Sequence, residues 1–168
     1  QALRTVTHAD QVHDVAITAD GSTTVTASHD RIARITPASG SIDLPHVGPV
    51  WSVDVTADGA FVASGSASEE GGVTTLWRSD GSQVASFEHD DEVIAVRFSP
   101  DDAFLFAASA GATSHLIDVQ GATSVAMPSP GSGFSGVRWR PDGAEVATYS
   151  LGSVFRVQSP GGVSLRTG

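Results

Sequence analysis

Short apolar runs separated by polar turns follow one another along the whole chain. Residues 50–56 (V-W-S-V-D-V-T) form one such run, broadly alternating, and end at the turn Ala57-Asp58-Gly59. Residues 60–66 form a second run, 68–72 a polar, glycine-rich loop, 73–78 a third run, Asp80-Gly81 a turn and 83–87 a fourth run. Runs of this length, rich in Val, Thr and aromatic residues and punctuated by Asp-Gly, read as β-strands joined by tight turns. The same parse holds for 12–18, 22–28, 32–36 and 41–44; for 93–99, 103–109, 114–119 and 122–126; and for 134–140, 145–149, 154–158 and 163–166. No segment sustains a 3.6-residue apolar period, so no long helix is expected.

The four parses are copies of one unit. Asp20-Gly21, Asp58-Gly59, Asp101-Asp102 and Asp142-Gly143 end equivalent runs, each preceded by an apolar pair: Val12/Val15, Val50/Val53, Val93/Val96 and Phe134/Val137. Three units open on His8, His46 and His89 and the fourth on Pro130, with spacings of 38, 43 and 41 residues. A period near 40 with four short strands per unit predicts an all-β chain, a β-propeller of four-stranded antiparallel blades. Four blades are expected, over 8–45, 46–88, 89–129 and 130–168, with residues 1–7 an extra outer strand. A lone sheet cannot bury both faces, so the core is expected between stacked blades. The innermost strand, covered on both sides, should be the most apolar. Trp139 shares its slot with Phe98, Val55 and Ile17 and is expected in that core.

Composition narrows the partners more than the fold. The 168 residues are 40% hydrophobic and 17% charged, the balance of a globular chain. Net charge is −10, all nine basic residues are arginine and lysine is absent. That field repels a phosphate backbone, so no nucleic-acid partner is expected. No apolar run reaches the ~18 residues of a membrane helix, so no membrane insertion is expected, and no signal-peptide pattern opens the chain. Without cysteine, disulfides and thiolate chemistry are excluded, while the compartment stays open.

The second unit resembles the Trp-Asp (WD) repeat β-propeller family. His46-Val47-Gly48-Pro49-Val50-Trp51-Ser52-Val53 is similar to that family's blade opening, Val62-Ala63-Ser64-Gly65-Ser66 to its second strand, and Thr75-Leu76-Trp77-Arg78 to its third. Arg78 stands where the family has Asp. The resemblance extends over the whole chain. It implies a buried hydrogen-bonded set of His, Ser/Thr, Asp and Trp within a blade. By position these are His46, Ser64 and Trp77 in the second unit, and His8, Thr26 and Asp30 in the first. In the third unit they are His89 and Asp118, and in the fourth Thr148 alone is clear. The resemblance also places His13, Trp51, Ile94 and Ser135 at the upper rim, as candidate contacts for a protein or peptide.

Candidate chemistry is sparse. Six histidines lack metal-site spacing, so no metal and no cofactor is expected. Glu88-His89-Asp90-Asp91-Glu92 is dense in carboxylates but lacks the spacing of a calcium loop. Ser28-His29-Asp30 spells a triad, yet consecutive strand residues point apart. No nucleophile elbow or phosphate loop occurs. Asp54, Arg97 and Arg138 occupy equivalent inner-strand slots, with Ala16 in the first unit, and are candidates to line a central channel. The expected function is therefore a non-catalytic scaffold binding a protein or peptide through rim and channel mouth. A channel-borne ligand or enzyme site, or a structural role in a cell-surface assembly, are the alternatives. The segments at both ends, Ala2-Leu3-Arg4-Thr5 and Ser164-Leu165-Arg166-Thr167, both resemble outer strands. They raise the expectation of ring closure through a homodimer or another propeller segment, with a closed four-blade monomer as the alternative.

Overall fold

A computed structural model describes residues 5–128, 136–150 and 155–160, and the backbone of 164–167. The first sheet comprises β1 (Val12–Ile17), β2 (Thr24–Ser28), β3 (Ile32–Thr36) and β4 (Ile42–Pro45). The second comprises β5 (Val50–Val55), β6 (Phe61–Ser68), β7 (Gly71–Arg78) and β8 (Gln83–His89). The third comprises β9 (Val93–Phe98), β10 (Phe104–Ser109), β11 (Thr113–Asp118) and β12 (Thr123–Pro128). The fourth comprises β13 (Gly136–Trp139), β14 (Val146–Tyr149), β15 (Phe155–Gln158) and β16 (Ser164–Thr167). Each sheet is an antiparallel meander in chain order, so each is one propeller blade. Residues 5–7, expected to end an outer strand, are not in a strand, and 1–4 lie outside the described residues.

The repeated Asp-Gly word builds the turn between each blade's first two strands. In the first three blades a hydroxyl at the strand end donates to the Asp carboxylate: Thr18 to Asp20 (2.7 Å), Thr56 to Asp58 (2.8 Å) and Ser99 to Asp101 (2.6 Å). The same Asp oxygen accepts a backbone N–H from Ser22, Ala60 or Ala103. These bonds favour the ionised form, and Asp20 is held down at about 2. The next residue must adopt positive φ, which Gly21, Gly59 and Gly143 do at 71–72°. Asp102 takes that place in the third blade at φ 57°, and its carboxylate accepts the Ala57 N–H of the second blade.

The core lies between blades. Val25, Ala27, Ala33, Ile35 and Leu44 of the first pack on Val50, Val53, Val55, Val62 and Trp77 of the second. Ala63 and Leu76 of the second pack on Val93, Val96 and Phe98 of the third, and Phe106 and Leu116 of the third on Val137 and Val146 of the fourth. Each blade thus has a leading face, turned to the blade before it, and a trailing face, turned to the next. At the two ends of the arc these faces are uncovered. Val12, Val15 and Ile17 are 50%, 62% and 59% exposed, whereas their equivalents Val50, Val53 and Val55 are 0%, 1% and 8%. The four blades therefore form an open arc, not the closed four-blade ring.

One local expectation is corrected. Residues 68–72 are not a loop. Ser68 pairs with Gly71, and β6 and β7 continue to a two-residue turn at Glu69-Glu70. The glycines permit this because the crossover at 89–93 runs against them. A side chain at Gly72 would meet the Asp91 carbonyl at 2.4 Å.

Candidate functional site

The innermost strands of the first three blades share one irregularity. The register of β1 on β2 skips from Val12 to Asp14, that of β5 on β6 from Val50 to Ser52, and that of β9 on β10 from Val93 to Ala95. The skipped residues are His13, Trp51 and Ile94. A bulge leaves its extra residue unpaired and re-aims its side chain, and here it does so at the same strand position three times. Ser135, the fourth of the series, lies outside the described residues.

The bulges bring His13 and Trp51 together with His29. The Trp51 ring lies 4.4 Å from that of His13 and 5.7 Å from that of His29, centroid to centroid. His13 Nε2 is 3.3 Å from His29 Nδ1. Trp51 is half-buried in this cluster, and its indole Nε1 is buried without a hydrogen-bond partner. A cleft of about 440 Å³ beside it is lined by Asp10, His29, Asp30, Arg31, Val47 and Pro49. Ile94 stands apart, half-buried against the core between third and fourth blades. Sequence reasoning missed His29, which it considered only within Ser28-His29-Asp30. The structure spends those three side chains separately: Ser28 Oγ–H donates to the Asp10 carbonyl, His29 meets His13, and Asp30 meets His8.

Two of the three inner-strand charges, Asp54 and Arg97, bridge blades. Asp54 accepts the Phe98 N–H at 2.8 Å and the Val55 N–H at 2.9 Å, and burial pushes its carboxyl up from the usual range. Arg97 Nη1 donates to Asp14 (3.1 Å) and to the Val96 carbonyl (2.6 Å). Asp14 also accepts Ser52 Oγ–H at 2.8 Å, which ties the first three blades into one network. Arg138 is exposed and donates to its own Val137 carbonyl. Trp139, half-buried, donates its indole N–H to the Arg97 carbonyl at 3.0 Å. Asp14 and Ser52 share the polar slot two residues before Ala16 and Asp54. That recurrence was the signal available for them.

Within blades the histidine sets differ. In the second, His46 Nδ1–H donates to the Leu44 carbonyl (2.8 Å), so Nε2 is an acceptor and takes the Ser64 hydroxyl proton (2.8 Å). Trp77 Nε1–H then donates to Ser64 Oγ at 2.8 Å. The chain of bonds requires a neutral His46, and burial holds its pKa below the ordinary value. In the first, His8 joins Asp30 (2.9 Å) and Thr26 (2.7 Å). In the third the structure places His89 and Asp118 apart. Ala107 fills the slot of Thr26 and Ser64, so the third blade offers His89 no hydroxyl there. His89, the last residue of β8, bonds instead to Thr74 of β7 in its own sheet (2.9 Å) and lies 4.6 Å from the His115 ring. Burial and the neighbouring His115 lower its pKa to about 4. Asp118 is exposed and accepts the Gly121 N–H in a turn. Thr148 is buried in β14.

Among the described residues, no three His, Cys, Asp or Glu side chains group so as to hold a metal ion. Also among them, no helix is long and apolar enough to cross a membrane.

Three stretches of the chain, residues 1–36, 40–78 and 81–118, match the family model described as WD domain, G-beta repeat. Each begins before the corresponding expected unit, which starts at residue 8, 46 or 89. The chain is 25% identical over 154 residues to the Intraflagellar transport protein 122 homolog of Danio rerio, a match covering 90% of this chain and 13% of that protein.

Proposed function

The chain belongs to the WD repeat family, and on that premise we propose that it is a non-catalytic scaffold that binds a protein or peptide through its rim and channel mouth. The observation that carries this reading is the repeated bulge. Three blades carry the same register irregularity at His13, Trp51 and Ile94, which supports reading these positions as one rim. The indole N–H of Trp51 adds a desolvated, unpartnered donor, and its neighbour His29 lines a cleft. Aromatic side chains with a polar edge are the usual anchors of protein interfaces. The inner-strand charges support the same reading. Asp54 and Arg97 are engaged in bonds that hold blades together, which leaves Arg138 as the free charge of the three. A converging catalytic set would need all of them. Likeness to an intraflagellar transport protein is compatible with a place in a larger assembly.

The reading includes completion of the arc by a second copy or by another propeller segment, because apolar end faces favour a covering partner. The test of the rim is capture by photo-crosslinking from the native host, with the reactive group beside Trp51. Partners captured by the wild-type chain are expected to be lost with Trp51→Ala and kept with Arg140→Gln, far from the rim. Equal capture by Trp51→Ala would refute the rim assignment.

A further inference from the structure

The middle hairpin of the second blade is longer than its counterparts. β6 and β7 run eight residues each, against five in β2 and β3, six in β10 and β11 and four in β14 and β15. The added length carries Glu69 and Glu70 at its tip. Glycine permits the tip to lie against the end of β8: a Cβ on Gly71 would stand 2.3 Å from the His89 carbonyl oxygen. Glu69 and Glu70 thereby share one cleft, of about 330 Å³, with Glu88 and His89.

The floor beside this cleft is one face of the sheet. Val73 pairs with Glu88, Thr75 with Ser86 and Trp77 with Gln83, and alternate strand residues share a face. A second cleft, of about 210 Å³, lies over Thr75, Trp77, Gln83 and Ser86, and Val47, Ser68 and Val73 line both. The two form one groove, acidic at the hairpin tip and more apolar toward Trp77. Pro45, His46 and Val47 of the connection from the first blade complete the lining, and Val47 is 70% exposed.

The acidic end has no counter-charge. Glu69, Glu70 and Glu88 are exposed, and among the described residues no basic side chain forms an ion pair with any of them. His89 does not supply one, because burial and His115 lower its pKa to about 4 and leave it neutral at pH 7. Its Nδ1 is buried without a hydrogen-bond partner. Three like charges on one cleft, continuous with an apolar floor, suit a segment that is cationic at one point and apolar at the next.

We propose that this groove takes an extended peptide segment whose Arg or Lys side chain enters among Glu69, Glu70 and Glu88 while a nearby apolar side chain covers Val47 and Val73. Charge complementarity names the occupant. The chain carries a net charge of −10 and neither cleft is lined by a basic residue, so an acidic or phosphorylated segment is repelled. Arg suits the site better than Lys, since its planar fork can bridge two carboxylates. The proposal rests on the scaffold reading and adds a second surface to it: Trp51 lines neither cleft.

The probe is a displayed library of random peptides of about ten residues, ~33 Å when extended. It is selected on the wild-type chain and counter-selected on the triple variant Glu69→Gln, Glu70→Gln, Glu88→Gln. All three positions are exposed, so the variant should keep the wild-type thermal midpoint. Should it not, Glu70→Lys alone reverses one charge at the tip. Selected peptides are expected to carry Arg or Lys with an apolar residue about two to four positions away. A labelled selected peptide should bind the folded variant about tenfold or more weakly than wild type, and should weaken with added salt. It should bind Trp51→Ala as it binds wild type. Enrichment of peptides without a basic residue, no enrichment, or equal binding by the folded variant would overturn the proposal. Displacement of the peptide by Ca²⁺ alone would overturn it as well, making the acidic end a cation site. Loss of the peptide in Trp51→Ala would move the binding to the rim and overturn the groove. The scaffold reading fails separately, by rim capture that ignores Trp51→Ala.

Discussion

Removing the Ser64 hydroxyl tests how the second blade is held together. Ser64→Ala deletes one atom that serves two buried partners. Trp77 Nε1–H loses its acceptor and His46 Nε2 loses its donor, each formerly at 2.8 Å. Ser64 is 0% exposed and Trp77 8%, so water cannot readily replace the hydroxyl. A buried polar group left without its partner costs about 1–3 kcal/mol. Two such groups, counted with some relaxation, give about 2–5 kcal/mol. At about 2–4 °C of midpoint per kcal/mol for a chain of this size, the thermal transition should fall by about 5–15 °C. The assay is equilibrium denaturation followed by tryptophan fluorescence and far-ultraviolet circular dichroism. Thr26→Ala is the internal comparison. Its hydroxyl serves one buried partner, His8, rather than two, so its effect should be the smaller of the two. A Ser64→Ala change within about 0.5 kcal/mol of wild type, the range of an ordinary surface substitution, would refute the reasoning.

Three further outcomes follow from the geometry. His89 has a folded pKa near 4 against about 6.5 unfolded. The unfolded chain therefore binds more protons in that window, and stability rises with pH across it. About 3 kcal/mol should be lost on acidifying from pH 6.5 to 4, and His89→Gln should flatten the profile in a pH series of denaturant midpoints. Gly65→Ala should destabilise by about 1–3 kcal/mol, with Val93→Ala partly restoring stability in a double-mutant cycle. Additive effects would contradict the 2.6 Å approach. Val15→Asp should change stability by about 1 kcal/mol or less while Val53→Asp, at an equivalent but covered position, costs more than about 3 kcal/mol. Similar losses in the two variants would argue that the first blade's leading face is covered.

Much of this architecture was legible because each blade writes its turn in the same letters. Thr18-x-Asp20-Gly21 and Thr56-x-Asp58-Gly59 are local constructions: hydroxyl, carboxylate and positive-φ residue lie within four positions, so the sequence pattern carries their cause. Strand positions agreed within one or two residues, and the alternation of Val50, Val53 and Val55 marks a buried strand without further information. What escaped was set by neighbours distant in the chain. The Ser68–Gly71 hairpin depends on glycines admitting the crossover at 89–93, which a local reading takes for a loop. His89 bonds to Thr74 within its own sheet, since Ala107 of the third blade offers no hydroxyl. Asp14 and Arg97 meet across 83 positions, which no spacing rule encodes. The rim histidine His29 was hidden inside a string that looked like a triad.

The central claim is an open arc of WD blades whose first leading face is uncovered. Amide exchange of the isolated chain, resolved to individual strands by mass spectrometry, tests it most directly. The three inner strands β1, β5 and β9 share sequence pattern and pairing, so they differ mainly in what covers them. The account predicts exchange in β1 at least about tenfold faster than in β5 and β9. Equal protection of all three strands would mean that Val12, Val15 and Ile17 are covered in solution, and would contradict it.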